Sequence, residues 1–252
     1  MSGHSKWATT KHRKAAVDAK RSALFSKLTR VITVAAKTGG DPNPENNAAL
    51  AAAIAKAKSY SLPKDKIEAA IAKAFGAGAD ANAFEEVVYE GYGPAGVALY
   101  VEALTDNRNR TAADVRAAFT RAGGNLGATG SVAFQFERKG EITVDAAGAP
   151  GEDELMLLVA DAGGDDLEQI DEGFVVYTAP ADVMAVKAAL EDSGVPVKGA
   201  ELVMEPMTPV EVSVEDARKV LRLVDRLEEL DDIQTVYHTM ELTEEIAAAL
   251  EE

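Results

Sequence analysis

The 252-residue chain contains no cysteine. That excludes disulfides, thiolate metal centres and cysteine nucleophiles, and it suits a reducing compartment. Histidine is almost as scarce: His4, His12 and His238 are the only three. None of them stands in a pattern that builds a catalytic triad or a metal site. The sequence therefore predicts no enzymatic activity, no cofactor and no metal. No apolar run approaches the roughly 18–20 residues of a membrane span, so no membrane partner is expected. The first residues, MSGHSKWATTKHRK, lack the apolar stretch of a signal peptide. Their bases, Ser and Thr suit a transit peptide, but they run straight into a helical pattern with no evident cleavage site. The expected location is cytoplasmic. Aromatics are only 6% and alanine is abundant, which favours helices and small α+β units over large β-sandwiches.

Acid is missing from one end. Residues 1–37 hold Lys6, Lys11, Arg13, Lys14, Lys20, Arg21, Lys27, Arg30 and Lys37 against Asp18 alone, a net +8. The whole chain carries −16, so residues 38–252 carry −24. Residues 38–80 are neutral, and residues 81–252 hold twelve bases against 36 acids. A chain this acidic that collects cations at one end suits a polyanionic partner, and nucleic acid is the commonest one.

The pattern is helical up to Phe75. A helix is expected from about Lys14 to Lys37, with Val17, Leu24, Leu28, Val31 and Ala35 forming an apolar stripe and Lys20, Lys27, Arg30 and Lys37 beside it. Gly39-Gly40-Asp41-Pro42 stops it. Asn46 or Asn47 caps a second helix to Ser59, and Leu62-Pro63 opens a third with Ile67, Ile71 and Phe75 in register. Gly76 to Asp80 is a joint. Strands then follow at Glu85–Tyr89 and Val97–Leu104, a helix from a capping box at Thr111 and Asp114 to Ala122, and a strand at Val132–Phe136. Residues 140–206 read β-α-β-β-α-β, the order of a ferredoxin-like split unit. A helix at Val214–Leu230 and a strand at Ile233–His238 complete the interrupted unit before it. The expected fold is α+β: an N-terminal three-helix bundle (1–79) plus two α+β, ferredoxin-like domains. The third (139–206) is inserted into the second (80–138 with 207–252).

Four stretches stand out as chemistry. Gly3 to Trp7 followed by Lys11, His12, Arg13 and Lys14 interleaves bases, hydroxyls and one indole, which suits phosphate contact with stacking; Trp7 equally suits an anchor on the bundle. Glu90-Gly91-Tyr92-Gly93-Pro94 describes a tight turn with Tyr92 as a loop contact. Arg108 and Arg110 stand just before a helix N-terminus, where they form a phosphate site or pair with nearby acids. Gly123 to Ser131 is glycine-rich but lacks the Lys-Ser/Thr of a phosphate-binding loop, so a helix cap and connection is expected. Acid pairs such as Asp231-Asp232 read as solvated loops and helix ends.

These stretches together resemble the YebC/PmpR family. The match rests on Gly3 to Trp7, Lys11 to Lys14, Asp18 to Arg21, Phe25 to Lys27, Ala36 to Gly40, Tyr89 to Pro94, Asp106 to Thr111, Gly123 to Ser131, and Asp231-Asp232 with Val236 to His238. The chain departs from the family pattern at Leu50-Ala51 and at Lys73 to Gly76. The resemblance implies a three-domain cytosolic α+β protein without enzymatic activity. Bacterial members are described as transcriptional regulatory proteins, and a mitochondrial relative is a translational activator. The expected function is nucleic-acid-binding regulation of gene expression, as a DNA-binding transcriptional regulator. The alternative is a translation factor on ribosomal RNA or tRNA within the ribosome, assisting elongation at proline-rich stretches. The candidate contact residues are Lys6, Trp7, Lys11, His12, Arg13, Lys14, Lys20, Arg21, Lys27, Arg30, Arg108 and Arg110, with Tyr92 as a further loop contact. The oligomeric state is left open, with a monomer as the starting expectation.

Overall fold

Helix α1, Asp18–Gly39, opens the computed structural model, which describes residues 18–76, 84–170 and 172–251. Its deepest residues are Leu28, Ile32 and Ala36, one turn apart, with Leu24, Phe25, Val31 and Ala35 flanking them. The buried stripe is thus centred one residue further along than the expected Leu24–Leu28–Val31–Ala35 line. Helix α2, Ala48–Ser59, and helix α3, Lys64–Phe75, pack on it through Leu50, Ala53, Ala57, Ile67, Ala70 and Ala74. Many of these are alanines, whose small side chains let helix axes come close.

Asn47 joins the first two helices. Its Oδ1 accepts the Leu50 N–H at 3.1 Å as the cap of α2, and its Nδ2 donates to the Ala35 carbonyl of α1 at 2.9 Å. One amide thereby satisfies an orphan donor of one helix and an acceptor of another. Gly39 leaves the room: a Cβ there would lie 2.1 Å from Asn47 Nδ2.

The first sheet has the order β3-β1-β2-β8 and is antiparallel throughout. Its strands are β1 (Glu85–Tyr92), β2 (Ala98–Thr105), β3 (Asn125–Leu126) and β8 (Ile233–His238). Helices α4 (Arg108–Arg121), α7 (Val214–Glu228) and α8 (Glu244–Glu251) share its core. Leu99, Val101 and Ile233 of the strands meet Phe119, Leu223, Leu227 and Ile246 of the helices there. The hairpin β1-β2 occupies the centre of this sheet.

The second sheet has the order β5-β6-β4-β7. Along the chain it reads β4 (Phe136–Asp145), α5 (Glu152–Ala162), β5 (Asp166–Ile170), β6 (Gly173–Thr178), α6 (Val183–Asp192) and β7 (Val197–Pro206). That is the split arrangement expected from the element order. Ile142, Val144 and Val176 face the two helices, with Leu155, Val159 and Leu190 opposite. Strand period sends Glu141, Tyr177 and Glu201 to the other face.

Three local expectations are corrected. Helix α4 starts at Arg108, capped by Asn107, whose side chain accepts from Arg110 N at 3.1 Å. Thr111 is therefore a buried first-turn residue and no cap. The expected strand Val132–Phe136 is a 3-10 turn, Ala133–Gln135, running into β4. Its backbone donors cannot join a ladder because Gly130, Val132 and Ala133 all give their N–H to the Glu90 carboxylate. The third strand of the first sheet is instead the two-residue β3.

Candidate nucleic-acid interface

Of the expected contact residues, Lys6, Trp7, Lys11, His12, Arg13 and Lys14 lie outside the described residues. Lys20 and Arg21 fall on the first turns of α1, with side chains outside the description. The remaining five have definite surroundings.

Lys27 extends from α1 to donate to the carbonyl of Glu228 at the end of α7. Arg30, one turn further, gives Nη1 to Asp232 Oδ1 at 2.9 Å and to the Asp231 carbonyl at 3.0 Å. Its guanidinium also lies 5.2 Å from the centroid of Phe84. Arg110 comes to the same carboxylate from α4, with Nη2 at 2.7 Å from Asp232 Oδ2 and 2.9 Å from Asp106 Oδ1. Thr111 Oγ1 lies 2.8 Å from Asp232 Oδ2 and 2.8 Å from Thr105 Oγ1.

Asp232 is 8% exposed, which corrects its expected place in a solvated acid pair. Burial pushes its carboxyl up. Hydrogen bonds from Arg110 and Thr111 and the charges of Arg110 and Arg30 outweigh that, and hold it below the usual carboxylate range. The pairing fixes α1 against the α4–β8 side of the first sheet. Of the two readings left open for Arg110, the structure contains the acid pair. Arg108, beside it, is exposed with no side-chain partner among the described residues, while its carbonyl accepts from Tyr89 Oη at 3.2 Å.

The cavity of about 530 Å³ around this cluster is lined by Arg30 and Arg110 but also by Asp106, Asp114, Asp231 and Asp232. With its carboxylates outnumbering its guanidinium groups, it is a poor receptor for phosphate.

The glycine-rich stretch is organised by Glu90, which is 3% exposed. Its carboxylate accepts from Gly130 N at 2.7 Å and from Val132 N and Ala133 N at 2.8 Å each. A loop with converging N–H groups is an anion receptor, and here the anion is the chain's own side chain. Burial raises the Glu90 carboxyl and the three N–H groups more than offset it, so the group stays ionised. Tyr92 was expected at a loop tip; instead Glu90, Gly91 and Tyr92 continue β1 in register with β2, and Tyr92 ends the strand at the rim of this loop. Its hydroxyl donates to the Ser131 carbonyl at 3.2 Å and accepts from Gln135 Nε2 at 2.9 Å, leaving the ring 37% exposed.

The second sheet meets the helical unit through charge. Lys56 of α2 pairs with Glu201 of β7. Burial opposes the charge on Lys56, but Glu201 keeps it protonated. Glu141, on the neighbouring strand, is 8% exposed and its carboxyl is pushed up to about 8 by burial and by Glu201 and Glu205. Glu102 of β2 is raised by burial as well, and Tyr237 likewise.

Sequence reasoning missed Glu90, Asp232 and Lys56. The only signal for Glu90 was its place in Tyr89–Pro94, a stretch otherwise made of aromatic residues, glycine and proline, and Asp232 stood in an acid pair that reads as solvated.

A helical unit joined by an arginine–carboxylate pair to one antiparallel α+β unit and by a lysine–glutamate pair to the other, with the bases gathered at the N-terminal end, defines the class: a three-part, charge-segregated α+β protein. The family profile described as "TACO1/YebC protein N-terminal domain" matches residues 5–77, and that described as "TACO1/YebC second and third domain" matches residues 84–240. The chain belongs to the TACO1/YebC family. It is 51% identical over 248 residues to a "Probable transcriptional regulatory protein" of Rubrobacter xylanophilus, covering 98% of both chains. A protein of the same name from Bifidobacterium animalis subsp. lactis is 49% identical over the full length of both. The crystal structure of a conserved hypothetical protein from Aquifex aeolicus is similar with a TM-score of 0.82 at 46% identity, over 92% of this chain and 95% of that one. No helix among the described residues is long and apolar enough to cross a membrane.

Proposed function

We propose that the protein regulates gene expression by binding nucleic acid, acting as a DNA-binding transcriptional regulator whose contacts come from its basic N-terminal segment. The observation that carries this reading is the charge segregation, +8 in residues 1–37 against −24 in the remainder. Cations so concentrated attract phosphate and release its counterions, while the acidic remainder repels polyanions elsewhere. The names of the relatives support a regulatory role. The reading assigns no catalytic step to any residue.

The same acidic remainder favours a second reading. A body that repels nucleic acid on most sides, with one cationic segment, suits insertion of that segment into ribosomal RNA by a translation factor. Gel shift on random and promoter DNA, beside sucrose-gradient cosedimentation with ribosomes, separates the two. Promoter-selective DNA binding supports the first. Ribosome association at moderate salt with weak, sequence-indifferent DNA binding overturns it.

A further inference from the structure

Eight of the twelve bases in residues 81–252 lie on two helices, α4 and α7, that pack side by side. Four of them line an open groove of about 440 Å³ between those helices: Arg121 from the last turn of α4, and Lys219, Arg222 and Arg226 from α7. Ala118 and Leu223 form part of its floor, and no carboxylate lines it.

The arginines here differ from Arg110 and Arg218. Arg110 is tied to Asp106 and Asp232, and Arg218, one turn before Arg222 on α7, donates to the Ala249 carbonyl at 2.8 Å. Lys219 is paired with Glu215 and Asp216. The guanidinium groups of Arg121, Arg222 and Arg226 are exposed and have no ion-pair or hydrogen-bond partner among the described residues. Arg108 and Arg116 of α4 are likewise without a side-chain partner among the described residues, so what sets this place apart, in a chain of net −16, is that three such arginines line one groove.

Arg222 and Arg226 stand one turn apart, about 6 Å of helix rise. One strand of B-form DNA presents a phosphate about every 3.4 Å along its axis. Side chains so placed reach different phosphates of one strand, and a guanidinium fork binds phosphate oxygens in pairs. The groove also adjoins the N-terminal unit, since Lys27 of α1 reaches the carbonyl of Glu228, two residues beyond Arg226.

We propose that the α4–α7 groove holds the sugar–phosphate backbone of the nucleic acid engaged by the basic N-terminal segment, so that the protein grips it at two places. This rests on the nucleic-acid reading above. Guanidinium groups at Arg121, Arg222 and Arg226 make the contacts, while Lys219 stays paired with Glu215 and Asp216 at the groove edge.

The test uses the full-length chain, a random-sequence DNA duplex, a ribosomal RNA and a polyglutamate peptide as separate probes. Each is titrated across a salt series with the wild type, with R121A/R222A/R226A and with K11A/R13A/K14A. The groove variant is expected to lower the slope of log affinity against log salt by about 2–3, near 0.9 per phosphate lost on a duplex and somewhat less on single strands. Lysine at the same three positions is expected to keep most of that slope. If the alanine variant melts early, the lysine variant decides, and a slope lost there too overturns the proposal. An unchanged slope in the groove variant, with affinity lost in the N-terminal variant, overturns the groove and leaves the first reading standing. A wild type that binds neither nucleic acid overturns both. Peptide binding that depends on the groove while the nucleic-acid slopes do not change assigns it to an acidic protein, and likewise overturns the proposal.

Discussion

Arg30 and Asp232 are 202 residues apart in sequence and 2.9 Å apart in space. Because Arg110 holds the other oxygen of the same carboxylate, Asp232 fixes the helical unit and α4 to each other. Replacing it with alanine leaves two guanidinium groups facing each other with no shared counter-charge. D232A is expected to lose about 2 kcal/mol, a fall of about 4–8 °C in melting temperature. The pH dependence has a definite sign. The folded carboxyl ionises below its ordinary range, so its contribution is present above about pH 4 and is lost as pH falls through the lower folded value. Thermal melts of wild type and D232A should therefore converge in acid. Curves that stay parallel down to the acid limit would remove Asp232 from the joint.

Glu90 supplies a second test. Glutamine keeps its shape but turns one acceptor into an NH2 group facing backbone N–H donors that already point inward. E90Q is expected to cost about 2 kcal/mol and to speed hydrogen exchange at Gly130, Val132 and Ala133 specifically. Exchange that stays slow at those three amides would show that the loop holds itself.

These two residues mark where sequence reading stops. The three helices and most strands were legible because each is recorded locally: Asn47 before an alanine-rich run, Pro63 at a helix start, the short apolar run Val97–Val101 just after a Gly-Pro turn. The strand β3 has only two residues, too few to make a period. Asp232 sits beside Asp231 ahead of a strand, a context that reads as solvent, and its partners are more than a hundred residues away. Glu90 opens the Glu90–Pro94 stretch that reads as a tight turn, where a solvated acid is the ordinary expectation, whereas β1 runs on through it to Tyr92. The basic N-terminal segment was legible because net charge needs no geometry. The groove between α4 and α7 was not, because Arg121 and Arg226 come together only when two helices separated by a whole inserted sheet pack side by side.

The joint of the second sheet should respond to alkali. Glu141 is raised to about 8 from 4.5, so the folded state retains a proton that the unfolded chain releases. Its favourable state is fully present below about pH 4.5, and stability falls as pH rises toward 8. Glu201, Glu205 and Glu168 face it with like charge, and Lys56 opposes them. E141Q is expected to melt close to wild type at pH 5 and above it at about pH 8. A wild-type melting temperature that does not fall relative to E141Q over that interval would show that the carboxyl is ionised throughout.

The internal pairing of Arg30 and Arg110 separates two kinds of basic residue. If their charge is committed to Asp232, removing it should change folding more than binding. R30A/R110A is expected to lower the melting temperature while leaving the salt slope of nucleic-acid binding close to that of wild type, once measured at a temperature where the variant is folded. K11A/R13A/K14A should do the reverse, lowering the slope by about 2–3 with little change in melting. The comparison is informative because each variant removes positive charge and only the location differs. A slope that falls equally in both would mean that Arg30 and Arg110 leave Asp232 to contact phosphate, and the joint between the helical unit and the first sheet would then open on binding.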